Sequence, residues 1–363
     1  MQFKDIAGQE SVKARLTACA DEGRVPHAQL FWGIEGCGKA ALALAYAQYL
    51  NCTDRRDGDS CGQCPSCRQM AKFIHPDVHF LFPYNQEAGG CCDDLLPKWR
   101  EYLSRSPYIQ LPEWAEFSGA AGKQCIIYSK ESDRLLSRLA MKSYQSPYKV
   151  VFIWMPERLH ETLANKLLKL LEEPPAGTVF LLVSDAPDTL LATILSRAQS
   201  VHVPPIDDKT LFGKFPEDVV RVARGSYTEA LRLQRDDEKA RMRFESMRKL
   251  MNIVVTKDLP KLRDWSEAMA KTGREPVNQF LDYACRILRE ALVANLGRPE
   301  LLYHTRYEDT FINQLKSYIT PGSAYDACAQ LELAGAQITQ NALAKGVLFD
   351  MGLQLFTKIK KTS

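Results

Sequence analysis

Gly33-Ile34-Glu35-Gly36-Cys37-Gly38-Lys39 has the Gly-x4-Gly-Lys spacing of a phosphate-binding loop. In such a loop, backbone N–H groups around the glycines cradle phosphates and the lysine reaches the β and γ oxygens. Gly33, Gly36, Gly38 and Lys39 are therefore the candidate nucleotide-binding residues. A Ser or Thr hydroxyl normally completes the site by holding Mg²⁺, and Ala40 stands in its place. Hydrolysis further needs one acid to hold Mg²⁺ and a second to polarise water, both at the carboxyl end of a buried strand. The strand expected to carry them, Lys149 to Glu157, offers Trp154 and Met155 instead, and Glu157 lies beyond Pro156, too far along to substitute. The loop keeps its cradle without its chemistry. That argues against ATP hydrolysis, and against stable ATP binding where phosphate charge would go unneutralised.

Cys52, Cys61, Cys64 and Cys67 place four thiols within sixteen residues. Zn²⁺ prefers four thiolates in a tetrahedron; two CxxC turns sharing Cys64 supply three, and Cys52 closes the set. Redox CxxC pairs stand alone rather than in overlapping sets, which disfavours that reading. A site closed by four cysteines leaves no open position, so the zinc is expected to be structural. His75 and His79 are alternative ligands, but His75-Pro76-Asp77 reads as the approach to a strand. Cys19, Cys37, Cys125, Cys285 and Cys328 lie among apolar or small residues and read as small buried hydrophobes, while Cys91-Cys92 falls in a loop-like stretch with no role.

These groups need a scaffold, and the first two hundred or so residues supply βα alternation. Ala28–Trp32 is a strand leading into the phosphate loop, and the Ala- and Leu-rich stretch 41–50 is the helix that follows. Val150–Trp154 and Val179–Val183 are continuous apolar runs, as strands buried on both faces of a parallel sheet are. Between them a helix over 161–173 puts Leu163, Leu167, Leu170 and Leu171 on one stripe and ends at Pro174-Pro175. Residues 84–122 break the rhythm with Gly89-Gly90, Trp99 and Trp114 and read as an insertion. No basic cluster surrounds its aromatics, so a local mini-core is expected rather than a base-stacking platform. Val203-Pro204-Pro205-Ile206 reads as a domain boundary. Helical, amphipathic sequence follows, with Pro260, Pro276, Pro299 and Pro321 marking breaks between helices.

The 363 residues are 45% hydrophobic and 25% charged, as in an ordinary globular protein. A net charge of +3 gives no strongly basic nucleic-acid footprint. There is no export signal at the start and no run of about 18 apolar residues, so a cytoplasmic protein with reduced thiols and no membrane partner is expected.

Together these motifs resemble the clamp-loader branch of the AAA+ superfamily. The likeness runs through Ile6-Ala7-Gly8-Gln9, Pro26-His27-Ala28, the phosphate loop, the cysteine knuckle and His75-Pro76-Asp77. It continues through the block from Asn165 to Pro175, which is highly specific, and Thr193-Ile194-Leu195-Ser196-Arg197. The resemblance covers about residues 3 to 232. It implies an α/β AAA+ P-loop core with a parallel sheet over 1–205, carrying the zinc module at 52–67 and the insertion. A small helical lid over 206–242 and an all-α oligomerising collar over 243–363 are implied to follow. It further implies that Ser196-Arg197 matches a Ser-Arg-Cys motif whose arginine reaches into a neighbouring subunit's ATP site, with Ala198 replacing the cysteine. Without that resemblance Arg197 is only a surface charge. Ser184 is implied to occupy the sensor-1 region, and Glu229 to replace the sensor-2 arginine.

The function so implied is a non-hydrolysing subunit of the DNA polymerase III clamp loader. Its partners would be gamma/tau-like and delta-like subunits, the sliding clamp and, through the complex, primed DNA. The competing readings are a working clamp-loader motor ATPase and a zinc-dependent DNA-binding module. The missing hydroxyl and acids oppose the first, and the near-neutral charge opposes the second.

Overall fold

A computed structural model describes residues 1–234, 238–298 and 301–360. The described residues form two compact units, Met1–Lys214 with Arg224–Glu229, and Phe215–Ala223 with the chain from Ala230 onward.

The first unit is built on a five-stranded, all-parallel sheet of β1 (Ala28–Trp32), β2 (Val78–Leu81), β3 (Lys149–Trp154), β4 (Thr178–Ser184) and β5 (Gln199–His202), in the spatial order β2-β3-β4-β1-β5. Every residue of β3 and β4 is buried, which requires cover on both faces and explains their unbroken apolar sequence. The α/β P-loop core expected from the sequence is therefore present. β5 escaped notice because it is an edge strand with only Val201 buried.

The helices of this unit are α1 (Glu10–Asp21), α2 (Lys39–Leu50), α3 (Pro65–Ala71), α4 (Cys92–Arg105), α5 (Leu111–Ser118), α6 (Glu131–Ala140), α7 (Glu161–Glu172), α8 (Ala192–Leu195) and α9 (Asp208–Phe212). α2 is apolar all round and packs across β1, β3 and β4. α7 buries Leu163, Leu167 and Leu171, each worth about 1.5–3 kcal/mol, while Leu170 is half-buried. The insertion is pinned at its base by reciprocal backbone hydrogen bonds between Tyr84 and Ile126, 3.0 and 3.1 Å long. Cys91 and Cys92 are not in a loop: Cys91 precedes α4, Cys92 opens it, and both are buried.

The second unit is helical: α10 (Glu217–Ala223), most of α11 (Tyr227–Gln234), α12 (Glu238–Thr256), α13 (Leu259–Ala270), α14 (Arg274–Asn295), α15 (Arg306–Leu315), α16 (Pro321–Thr339) and α17 (Ala344–Lys358). Pro260, Pro276 and Pro321 fall in the first turns of α13, α14 and α16, where the missing N–H costs nothing; Pro299 lies outside the described residues. Its core is drawn from α12 to α17 and includes Phe280, Ile287, Leu331 and Met351. Glu308 is buried there because Arg286, Tyr283 and the Thr305 N–H all donate to its carboxylate.

Candidate functional site

The phosphate loop joins β1 to α2, with Gly36 and Gly38 at φ +78° and +93°, backbone that L side chains rarely adopt. Gly33, Gly36, Gly38 and Lys39 all lie on this one turn and its entry into α2. The space in front of them is filled. A β-carbon at Gly36 would lie 2.2 Å from the Ser226 and Thr228 hydroxyl oxygens, and one at Gly38 would lie 3.2 Å from the Tyr108 ring. Tyr108, from the insertion, stacks on Tyr227 with centroids 4.4 Å apart, and the Tyr227 N–H donates to the Gly36 carbonyl at 2.9 Å. The Tyr108 hydroxyl accepts from the Ala7 N–H at 3.0 Å, fixing the ring. The remaining hollow between Gly36, Lys39, Tyr108, Trp154 and Asp185 measures about 10 Å³, room for about one water.

Lys39 is only 5% exposed; its ammonium donates to the Ile34 carbonyl at 2.9 Å and pairs with the Asp185 carboxylate. Asp185 follows directly after Ser184, the buried last residue of β4, whose hydroxyl accepts from the Ala186 N–H at 3.2 Å. Trp154, 1% exposed at the carboxyl end of β3, lies 5.3 Å from the Trp99 ring. Trp99 in turn stacks on Phe82 at 4.3 Å and meets Trp114 edge-on at 5.0 Å. The expected mini-core of the insertion is thus continuous with the sheet core and closes over the carboxyl end of β3.

An open crevice of about 410 Å³ lies beyond Asp185, lined among others by Ile126, Met155, Glu157, His160 and Thr189. Glu157 accepts from the Asp185 N–H at 3.1 Å, and burial raises its carboxyl above the ordinary range. Met155, at φ +56°, marks a sharp turn out of β3.

The cysteine knuckle sits between α2 and α3. The Sγ atoms of Cys52, Cys61, Cys64 and Cys67 all lie within 4.8 Å of one another, with Cys61 and Cys67 3.9 Å apart. Four sulfurs at about 2.3 Å from a tetrahedral Zn²⁺ are about 3.8 Å apart, so the residues fit that ion. Backbone N–H groups point at the sulfurs: Cys61 N to Cys52 at 3.3 Å, Cys64 N to Cys61 at 3.2 Å and Cys67 N to Cys64 at 3.4 Å. Such donors favour thiolates. His75 is not in this set. Its ring lies 3.0 Å from the Ser146 hydroxyl and accepts from the Asp77 N–H, holding the approach to β2.

Arg197 follows α8 on the connection from β4 to β5. Its guanidinium donates to the Thr193 carbonyl at 3.0 Å and the Ser196 hydroxyl at 3.2 Å and pairs with Glu172 at the end of α7. About a third of the side chain stays exposed, and Leu191 and Leu195 beside it are exposed too. Gly225, at φ +82°, fits under Pro205 and Ile206 with no room for a β-carbon, and the Glu229 N–H donates to the Ser226 hydroxyl at 3.2 Å.

Sequence reasoning missed Asp185, Tyr108 and Tyr227. A carboxylate directly after a buried strand was a readable signal for Asp185. Tyr108 had none, since it lies in an insertion without a motif.

A family model described as DNA polymerase III, delta subunit matches residues 8–207, more than half of the chain. The chain belongs to the DNA polymerase III delta subunit family. Within that relationship, it is 28% identical over 298 residues to the DNA polymerase III subunit delta' of Escherichia coli K12, covering 79% of this chain and 76% of that one. It is 35% identical over 179 residues to the delta' subunit of Haemophilus influenzae, 49% of this chain and 43% of the relative. The gamma/tau subunit of Mycobacterium tuberculosis H37Rv is 29% identical over 202 residues, 56% of this chain but only 28% of its own length. The chain thus spans little more than a quarter of the gamma/tau relatives' length. Among the described residues no helix is long and apolar enough to cross a membrane.

Proposed function

We propose that this family member is a delta-prime-type clamp-loader subunit: it does not hydrolyse ATP, completes a ring with gamma/tau-like and delta-like subunits, and donates Arg197 to a neighbour's nucleotide site. The observation that carries the reading is a contrast within one unit. Lys39 is paired with Asp185 behind Tyr108 and Trp154, whereas Arg197 is held at the surface beside exposed Leu191 and Leu195. Side chains fill the space in front of the loop and leave room for about one water. Arginine suits the donated role because its planar, permanently charged guanidinium can bond a γ-phosphate through two N–H groups. The ring would support loading of a sliding clamp onto primed DNA.

Three domains are part of this proposal: a P-loop core over 1–205, a lid over 206–242 and a collar over 243–363 through which the ring assembles. Zn²⁺ on Cys52, Cys61, Cys64 and Cys67 would hold the knuckle, with no part in the reaction. The gamma/tau relatives raise the alternative of a motor subunit, and Ala40, Trp154 and the Lys39–Asp185 pair stand against it.

Two measurements test the proposal. The purified chain alone is expected to show no ATP turnover above background, and mixing with gamma/tau- and delta-type subunits is expected to yield a stable complex containing it. Steady turnover that disappears in Lys39→Ala, or failure to enter the complex, contradicts it.

A further inference from the structure

Cys285 and Cys328 read in the sequence as two unconnected buried hydrophobes, forty-three positions apart. The fold sets them face to face. Cys285 is on α14 and Cys328 on α16, helices that pack side by side in the second unit. Each Sγ lies 3.9 Å from the other residue's carbonyl oxygen, a reciprocal approach that turns the two side chains toward each other across the α14–α16 seam. Both are partly exposed, unlike Cys37, Cys91, Cys92 and Cys125, which are buried. The other partly exposed cysteines are Cys61 and Cys64 of the knuckle and Cys19, which is on α1.

We propose that Cys285 and Cys328 are an oxidation site, in which a hydroperoxide converts the dithiol to a disulfide that ties α14 to α16. The two thiols are not equivalent. The hydrogen bond from Cys285 lowers the Cys328 thiol below the ordinary value, and the same bond together with burial raises Cys285. That direction favours Cys328 as the attacking sulfur and Cys285 as the resolving one, and the exchanged order would give the same disulfide.

In the first step the Cys328 thiolate attacks the peroxide. An S–O bond forms, the O–O bond breaks, and the departing alkoxide or hydroxide takes a proton to leave as alcohol or water. In the second step Cys285 attacks the sulfur of the resulting sulfenic acid. The S–S bond forms, the S–O bond breaks, and hydroxide leaves as water with the Cys285 proton. The two electrons lost by the thiols reduce the peroxide. The cross-link closes a long loop between two packed helices, so it restricts the unfolded chain and raises resistance to unfolding.

The test uses the full-length, zinc-replete chain, treated with hydrogen peroxide and digested without reductant. The expected product is a peptide pair joined through Cys285 and Cys328 that dithiothreitol separates, accompanied by a rise in the thermal midpoint. In Cys285→Ser the reaction is expected to stop at a sulfenic acid on Cys328, trapped by dimedone. In Cys328→Ser, Cys285 is expected to react at least several-fold more slowly. Serine is close in size to cysteine at these partly exposed positions, and circular dichroism of each variant checks the fold. Absence of the joined peptides when the knuckle cysteines are themselves oxidised overturns the proposal.

Discussion

The Lys39 ammonium is paired with the Asp185 carboxylate, which follows directly after β4. In a working phosphate loop that ammonium waits for the β and γ phosphates. Here the chain supplies the counter-charge itself, and a ligand phosphate would have to displace a carboxylate held in a largely buried site.

This pairing predicts a stability role for a lysine that in a working phosphate loop serves nucleotide. Lys39→Met leaves Asp185 largely buried without its partner and is expected to cost toward the low end of about 3–5 kcal/mol, since Asp185 keeps some contact with water. Adding Asp185→Asn is expected to recover part of that loss, because the two residues act as a unit. Urea denaturation of the two singles and the double reads it. Additive effects would mean that the pair is incidental.

Restoring the missing acid is not expected to restore chemistry. Trp154→Asp removes a ring packed on Trp99 and places a charge among aromatics, so a loss of at least about 3–5 kcal/mol is expected, with no gain in ATP turnover. A well-folded Trp154→Asp protein that hydrolyses ATP would show that only the acid was wanting.

The knuckle is expected to hold one Zn²⁺ per chain. Chelation should loosen the segment around residues 52–67 without unfolding the sheet, because the knuckle lies at one end of α2 while the core is built on β1 to β5. Metal analysis with hydrogen exchange tests both points. Zinc retained after the paired change Cys64→Ser and Cys67→Ser would reject these ligands.

His79 gives the first unit a dependence on pH. Burial, aided by the nearby Arg138 and Lys149, lowers it to about 4 from an ordinary 6.5. Between those values the unfolded chain binds the proton and the folded chain does not, so stability rises with pH across this window. The effect is absent above 6.5 and grows as pH falls towards 4, where it amounts to about 3 kcal/mol. As pH falls from 6.5 to 4 the wild type is expected to lose about 3 kcal/mol of unfolding free energy relative to His79→Gln, which has no ring to protonate. Parallel curves would remove His79 as the cause.

What could be read in the sequence was local. The glycine spacing, the apolar runs that became β3 and β4 and the four clustered cysteines each declare themselves within a short window. β5 did not, because an exposed edge strand carries little apolar pattern. The closure of the phosphate loop did not either. It depends on Tyr108 meeting Tyr227 and on Lys39 meeting Asp185, pairs more than a hundred positions apart in the chain. Cys285 and Cys328 failed for the same reason: neither neighbourhood announces the other, and only the packing of α14 on α16 joins them.

The central claim is that this chain keeps its own nucleotide site shut and acts on another chain's through Arg197. The most direct measurement is DNA- and clamp-stimulated ATP turnover by a reconstituted complex carrying Arg197→Ala, with assembly confirmed by gel filtration. An arginine finger is worth on the order of 10³ at the site it serves, so a ring with several motor sites is expected to lose a few-fold in total turnover and to load clamps more slowly. Arg197→Lys is expected to behave like Arg197→Ala, since an ammonium cannot make the paired N–H contacts. Unchanged turnover and unchanged clamp loading in a fully assembled Arg197→Ala complex would contradict the account and leave Arg197 as the surface partner of Glu172.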